Sequence, residues 1–434
     1  MNRRMFVRLS AALAAGWNAP ALLAQRASAG PQPARELPPS IAALTSMRDQ
    51  AKPITNDERR GRIEQARRLM SEEKIGALIL TGGASLSYFT NIRWSGGERL
   101  FACVIPAKGE PFFVCPAFEE DRAREQIGRG PFAGHADVRP WQEDESPYAL
   151  VASGLHDRGL STARVGIEET AKFVWTSGIA NAAPNAHFVV GTPVTAGCRM
   201  IKSAHELELM QLANTATWRV YKAVYEALQP GMTQNDASDL IDLAYGRVGF
   251  NGGASVQTGP YTALPHGSIE PQVIRDGTII MVDDGCTVEG YQSDITRTFV
   301  LGKATEKMNR VFDIVKHAQS AALAAARPGV LLASVDAAAR EVIVKAGYGP
   351  GFKYFSHRVG HGIGMEGHEW PYLVKNNMFG WTRALHARPG MTFSDEPGVY
   401  IRGEFGVRLE DDMVITQDGA RLFTPQSESL EKPF

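Results

Sequence analysis

Apolar positions along this chain switch repeatedly between helical and strand spacing, and the switches outline two units in series. After Asn56-Asp57, the residues Ile63, Ala66, Leu69 and Met70 keep helical spacing. Ala77-Leu-Ile-Leu-Thr81 then reads as a buried strand, and Phe101-Ala-Cys-Val-Ile105 with Pro111-Phe-Phe-Val114 as a strand pair. Helix and strand signals alternate to about residue 197, which predicts an α/β domain over residues 56–197. Residues 30–55, rich in Pro, Ala and polar side chains, read as a linker.

A longer pattern begins at Ser203, where Glu206 three residues on completes a capping box. Leu207, Met210, Ala213, Val220, Val224 and Leu228 follow at helical spacing until Pro230-Gly231, and a second helix runs from near Thr233 to Gly249. About 98 residues later the phrase recurs. Thr305 opens a helix through Met308, Val311, Phe312, Val315 and Ala322, Pro328-Gly329 stops it, and Ser334 opens another that ends at Gly347. Each copy leads into strand pairs that carry acids. The expectation is an α+β domain over residues 198–434, built by internal duplication around a pseudo-two-fold axis.

Those acids are the candidate chemistry. In Thr278-Ile-Ile-Met-Val-Asp283, Ile279, Met281 and Asp283 share a face, and a turn near Val288-Glu289 sets Asp283 almost opposite Asp294, eleven residues on. A turn around Arg402-Gly403 likewise sets Glu396 opposite Glu410, fourteen residues on. Facing carboxylates on paired strands repel, so two such pairs in aliphatic sequence point to ligands poised for cations. Spacing alone leaves Asp283 and Asp284 as alternatives for the first position. His361 is the best-placed imidazole ligand, within a run whose glycines at 360, 362, 364 and 367 let the backbone approach closely. Asp283, Asp294, His361, Glu396 and Glu410 thus form a set for two divalent metal ions, Mn foremost, with Co, Zn or Fe within the same chemistry. His357 and His368 would support or polarise, His266 lies on a loop ahead of the first acid strand, and Arg408 would pair with a site carboxylate or grip substrate.

Composition narrows the partners. Lys plus Arg number 46 against 47 for Asp plus Glu, so no basic field exists for nucleic acid, and a peptide or small molecule is the expected substrate. Asn2-Arg-Arg-Met-Phe-Val-Arg8 precedes a mildly apolar run broken by Gly16, Asn18 and Pro20, too short and polar for stable membrane insertion. It reads as a twin-arginine export signal over residues 1–29, with cleavage at Ala27-Ser-Ala29 or Ala24, and places the protein in the periplasm. Four scattered cysteines exclude a disulfide framework, and buried free thiols are favoured over a Cys103–Cys115 bond.

These motifs resemble the pita-bread metallopeptidase superfamily, which includes methionine aminopeptidase, aminopeptidase P, prolidase and the metal-free creatinase. The resemblance runs through roughly residues 200 to 425, and residues 55 to 195 resemble the creatinase-type N-terminal domain. It selects Asp283 over Asp284, because the family's first aspartate precedes x-Gly and stands eleven residues before the second. His266, seventeen residues before Asp283, and His357 and His368, four before and seven after His361, match aminopeptidase P and prolidase. Ser394-Asp395 before Glu396 and the extra acids Asp411-Asp412 depart from the family pattern. The resemblance implies hydrolysis of Xaa-Pro bonds through a hydroxide bridging two ions, with Glu396 as proton acceptor and His266 and His368 at the oxyanion or leaving nitrogen. It also implies a dimer or tetramer. The rival expectation is a metal-dependent lyase or small-amide hydrolase on the same fold, of the dimethylsulfoniopropionate-lyase or ectoine-hydrolase kind.

Overall fold

A computed structural model describes residues 37–95, 97–134, 136–375 and 384–434. The export signal read for residues 1–29 lies outside these. In the N-terminal domain, helix α1 (Asn56–Glu72) starts at a capping box in which the Thr55 hydroxyl accepts from the Glu58 amide and the Glu58 carboxylate accepts from the Thr55 amide. A six-stranded sheet follows, from β1 (Ala77–Leu80), β2 (Ala102–Pro106), β3 (Phe112–Pro116), β4 (Asp137–Trp141), β5 (Arg164–Ile167) and β6 (His187–Val190), in the order β4-β3-β2-β1-β5-β6. β1 is buried along its whole length because Leu78 and Leu80 enter one core and Ala77 and Ile79 another, on the opposite face. All four cysteines are free and buried; Cys103 lies across from Phe113, so the β2–β3 register sets it apart from Cys115.

The segment read as a linker is part of the fold from residue 37 onward. Ile41, Met47 and Ile54 are buried in the core of the following domain, the Ser40 hydroxyl donates to Ala223 O at 2.6 Å, and the Met47 amide to Val248 O at 2.9 Å. Three apolar residues spaced six and seven apart carry no helix or strand period, which is why composition alone hid them.

Helix α2 (Thr192–Arg199) closes the first domain, and α3 (Ala204–Ala227) opens the second from the Ser203–Glu206 capping box. The duplicated phrase appears as α3 with α4 (Gln234–Val248), then α5 (Glu306–Ala325) with α6 (Leu332–Lys345). α6 begins ahead of Ser334, whose hydroxyl turns back to Leu331 O at 2.7 Å. In the first half β8 (Ser255–Thr258), β9 (Ile279–Asp284) and β12 (Ile295–Val300) form one sheet, and the short β7 (Asn251–Gly252), β10 (Cys286–Val288) and β11 (Tyr291–Gln292) another. In the second half β13 (Gly360–Gly362), β14 (Glu369–Leu373), β15 (Thr392–Asp395), β18 (Asp411–Ile415) and β19 (Ala420–Leu422) form a sheet beside the hairpin β16 (Gly398–Ile401)–β17 (Phe405–Arg408). A buried triad joins the domains: Arg62 donates to Tyr291 at 2.7 Å and pairs with Glu206 at 3.1 Å, while the Tyr291 hydroxyl donates to Glu206 at 2.8 Å. Tyr88, from the Tyr88-Phe-Thr-Asn91 segment, packs under Arg62 as core.

Candidate metal centre

The two acid hairpins differ in how closely they follow the sequence expectation. Gly398 pairs with Arg408 and Asp395 with Asp411, so Glu396 and Glu410 stand opposite each other where one sheet hands over to the next. In the first hairpin Val288 pairs with Tyr291, so the turn is at Glu289-Gly290, one residue later than expected, with φ of 50° and 93°. Asp283 therefore faces Thr296, and Asp294 is its diagonal neighbour on the same face. The Thr296 hydroxyl fills the gap, 2.5 Å from Asp283 Oδ1 and 2.6 Å from Glu410 Oε2. Asp284 is turned outward, exposed at φ 132°, and accepts from its neighbour's amide at 2.8 Å.

One cavity of about 410 Å³ is lined by His266, Asp283, Asp294, His357, His361, His368, Glu396, Arg408 and Glu410, together with Pro265, Arg358 and Val374. Every site residue expected from the sequence is thus brought to one place. Donor atoms of Asp283, Asp294 and Glu410 lie within 4.8 Å of one another, as do those of His361, Glu396 and Glu410, and those of Asp294, His361 and His368. His361 Nδ1 donates to Gly362 O at 3.1 Å, which leaves Nε2 free, 3.3 Å from Glu396 Oε1 and 3.8 Å from Asp294 Oδ2. The glycines do what their spacing suggests: a Cβ on Gly360 would stand 2.0 Å from Ser394 O.

The electrostatics are those of a site short of positive charge. Burial foremost, and then the neighbouring acids, push Asp294 and Glu410 well above the usual carboxylate range and Glu396 up to about 7, with Arg408 opposing the last. Arg408 is fully engaged, donating to Asp283, to Thr296 at 3.0 Å, to Tyr400 at 3.0 Å and to Pro265 O at 3.0 Å. It pairs with a site carboxylate, the first of its two expected roles. The two guanidiniums of Arg408 and Arg358 cannot balance four acids, whereas divalent cations can, and the oxygen-rich donor set with one imidazole fits them. Burial and the Arg408 charge hold His357 at about 3, so it is neutral; its Nδ1 donates to Arg358 O at 2.8 Å and its Nε2 accepts from the Tyr400 hydroxyl at 2.7 Å. His368 stacks on His361 with ring centroids 3.7 Å apart, and burial with nearby Arg358 lowers its pKa. Arg358 donates to His368 Nδ1 at 3.3 Å, which assigns the neutral ring's proton to Nε2. His266 is exposed on the cavity rim.

Residues 208–417 match the family model Metallopeptidase family M24, and residues 62–201 match Creatinase/Prolidase N-terminal domain. The probable dipeptidase PepE of Mycobacterium tuberculosis is 34% identical over 369 residues, covering 83% of this chain and 92% of that protein. The chain belongs to metallopeptidase family M24. The Xaa-Pro dipeptidase of Lactobacillus helveticus is 32% identical over 80% of this chain and 92% of its own length. Among solved structures, dipeptidase PepE from Mycobacterium ulcerans superposes with a TM-score of 0.80 at 33% identity, covering 88% of this chain and 99% of that one. The fold is the pita-bread arrangement behind a creatinase-type N-terminal domain, and the protein is a peptidase of a family that uses divalent metals.

Several residues of this M24 peptidase's centre carry no sequence signal of their own. Thr296 lies two positions after Asp294 and so on the same strand face, the one clue that period-2 spacing offered. Ser394, noted only as a departure from the family pattern, donates to Glu396 at 3.1 Å and accepts from the His361 amide at 3.0 Å. Asp412, the other departure, accepts from the Asp294 amide at 3.0 Å and from Asn214 at 2.9 Å, and burial pushes it up to about 8. Tyr400 joins His357 to Arg408. Among the described residues, no helix is long and apolar enough to cross a membrane.

Proposed function

We propose that this M24 peptidase is a two-metal Xaa-Pro dipeptidase of the periplasm. The observation that carries the reading is the division of five donors into two sets sharing Glu410, one with Asp283 and Asp294 and one with His361 and Glu396. Mn(II) is the foremost occupant, with Co(II), Zn(II) or Fe(II) suited to the same donors. Bound divalent ions supply Lewis acidity toward the scissile carbonyl and lower the pKa of a water. The remaining work falls to the chain. Glu396 takes the proton of the attacking water, and the Nε2–H of His368 donates to the developing oxyanion. His266 guides the leaving nitrogen from the rim. His357 keeps Tyr400 and Arg408 in place, and Arg408 anchors the Asp283 carboxylate. Proline specificity is supported by the relatives named Xaa-Pro dipeptidase, and a short substrate by a cavity of about 410 Å³. Export is supported by Arg3-Arg4 and the apolar run behind them, and assembly as a dimer or tetramer by the family's habit.

Purified chain lacking residues 1–29, loaded with Mn(II), should split Ala-Pro and lose that activity to a chelator. Release of dimethyl sulfide from dimethylsulfoniopropionate with Ala-Pro left intact overturns the proposal in favour of a lyase.

A further inference from the structure

A second cavity, of about 180 Å³, lies at the junction of the two domains and shares His368 with the metal centre. Its walls bring together Glu168, Glu169, Glu366 and Glu369 with a single cation, Arg199. Arg199 is already used: it pairs with Glu369, with Glu366 at 2.6 Å, and donates to Ser85 at 3.0 Å. Lys202 supports Glu369 at 2.8 Å. Glu169 accepts from the Trp370 indole at 3.0 Å and from the Thr192 hydroxyl. Glu168, directly after β5, takes one hydrogen bond, from the Ser85 hydroxyl. It is 6% exposed, and its Oε2 is buried with no hydrogen-bond partner.

Of the four acids, Glu168 and Glu369 are buried, whereas Glu169 and Glu366 reach solvent. Arg199 and Lys202 both pair with Glu369, so the buried carboxylate left without an ion pair of its own is Glu168, and leaving it so is costly. Burial foremost pushes the Glu168 carboxyl up to about 7, with Glu366 and Glu169 adding and the Ser85 hydroxyl and Arg199 opposing. The cavity is several times the roughly 30 Å³ share of one water, room for an alkyl stem with a charged end rather than a bare ion. Trp370 and Tyr372 supply aromatic wall for the alkyl stem, with Arg358 already stacked over the Tyr372 ring at 4.2 Å.

We propose that this cavity is a subsite for an organic cation, taking the ammonium or guanidinium of a Lys or Arg side chain on the substrate residue N-terminal to the scissile bond, with Glu168 as its direct partner. The substrate assignment rests on the Xaa-Pro reading; the cation site does not.

The test uses the Mn(II)-loaded mature chain and two readouts. The first is calorimetric binding of n-butylammonium, compared with potassium ion at equal ionic strength. Saturable binding of n-butylammonium that is lost in Glu168→Gln and weakened in Glu366→Gln is expected; Glu366 is 41% exposed, so the second variant guards against misfolding of the first. The second readout is the ratio of kcat/KM for lysyl-proline over norleucyl-proline, beside Ala-Pro. About tenfold or more is expected, the scale of one hydrogen bond to a charged group, falling toward unity in Glu168→Gln. Cleavage of Ala-Pro with a ratio of one and no n-butylammonium binding overturns the subsite and leaves the dipeptidase reading standing. Glu168-dependent n-butylammonium binding without Ala-Pro cleavage does the reverse. Saturation by potassium alone makes this an alkali-ion site and overturns the proposal.

Discussion

Arg297→Met tests how the buried framework behind the metal centre is held. Arg297 is fully buried, and its guanidinium donates to Glu410 O at 2.7 Å, Asp411 Oδ1 at 2.6 Å, Pro425 O at 2.8 Å and Thr296 O at 3.1 Å. It thereby ties the strand that carries Thr296 to the carbonyl of Glu410. Methionine fills much of the volume but leaves Asp411 ionised and buried. Breaking one partner of such a pair costs about 3–5 kcal/mol. Asp411 keeps Thr424 at 2.6 Å and Gln319 at 3.0 Å, which favours the lower end of that range. Removing the stranded charge as well, in Arg297→Met/Asp411→Asn, should recover about 1–2 kcal/mol. Asp411 already titrates above its usual range through burial, and losing Arg297 raises it further. A raised carboxyl weakens the fold as pH rises above the unfolded value, so the single variant should be penalised less at pH 5 than at pH 8. Urea unfolding of the metal-free protein, following the transition of the catalytic domain, measures all three. A single variant within about 1 kcal/mol of the parent, or a double variant no better than the single, refutes the reasoning.

Three further outcomes are expected. His361→Ala should lose bound metal, whereas His368→Ala should keep it and lose turnover by roughly 100-fold; metal content measured for both variants decides, and the reverse pattern means the two histidines were assigned the wrong way round. Arg199 and Lys202 overcome burial to hold Glu369 at about 2, so its contribution is full above the unfolded pKa and is lost as pH falls toward 2. Unfolding midpoints of the parent and Glu369→Gln should therefore converge on acidification from pH 5 to pH 3, and a constant gap would show that the pair does not act through ionisation. Replacing Arg3 and Arg4 by Lys should leave the protein in the cytoplasm, and an undiminished periplasmic yield on fractionation would point to the general secretory route.

The helices were the most legible part of this chain, because Ser203 with Glu206, Thr233 and Thr305 mark their starts chemically and Gly249 ends one in a left-handed cap. The second acid hairpin was legible to the residue, since the glycine at its turn, Gly403 at φ 81°, centres the pairing that sets Glu396 opposite Glu410. The first was misplaced by one residue at its turn, because Glu289 takes a positive φ that a charged, non-glycine side chain rarely adopts. That error kept Asp283 and Asp294 on one face, so the ligand set survived while the bridging Thr296 went unseen. Neutral hydroxyls such as Thr296, Ser394 and Tyr400 gain their role only from distant strands that meet at the centre. The same holds for the domain junction: Arg62, Glu206 and Tyr291 are far apart in sequence, and nothing local marks them as partners.

If five side chains hold two divalent ions that hydrolyse a dipeptide, removing one donor must cost both metal and turnover. Metal content and Ala-Pro turnover measured together, in the parent and in Asp294→Ala, test this most directly. Asp294 stands in the donor set with Asp283 and Glu410 and within 3.8 Å of His361. Two ions per active parent chain are expected and, in the variant, loss of at least one ion with turnover reduced by roughly 100-fold or more. Two ions retained with undiminished turnover in Asp294→Ala would contradict the two-ion assignment.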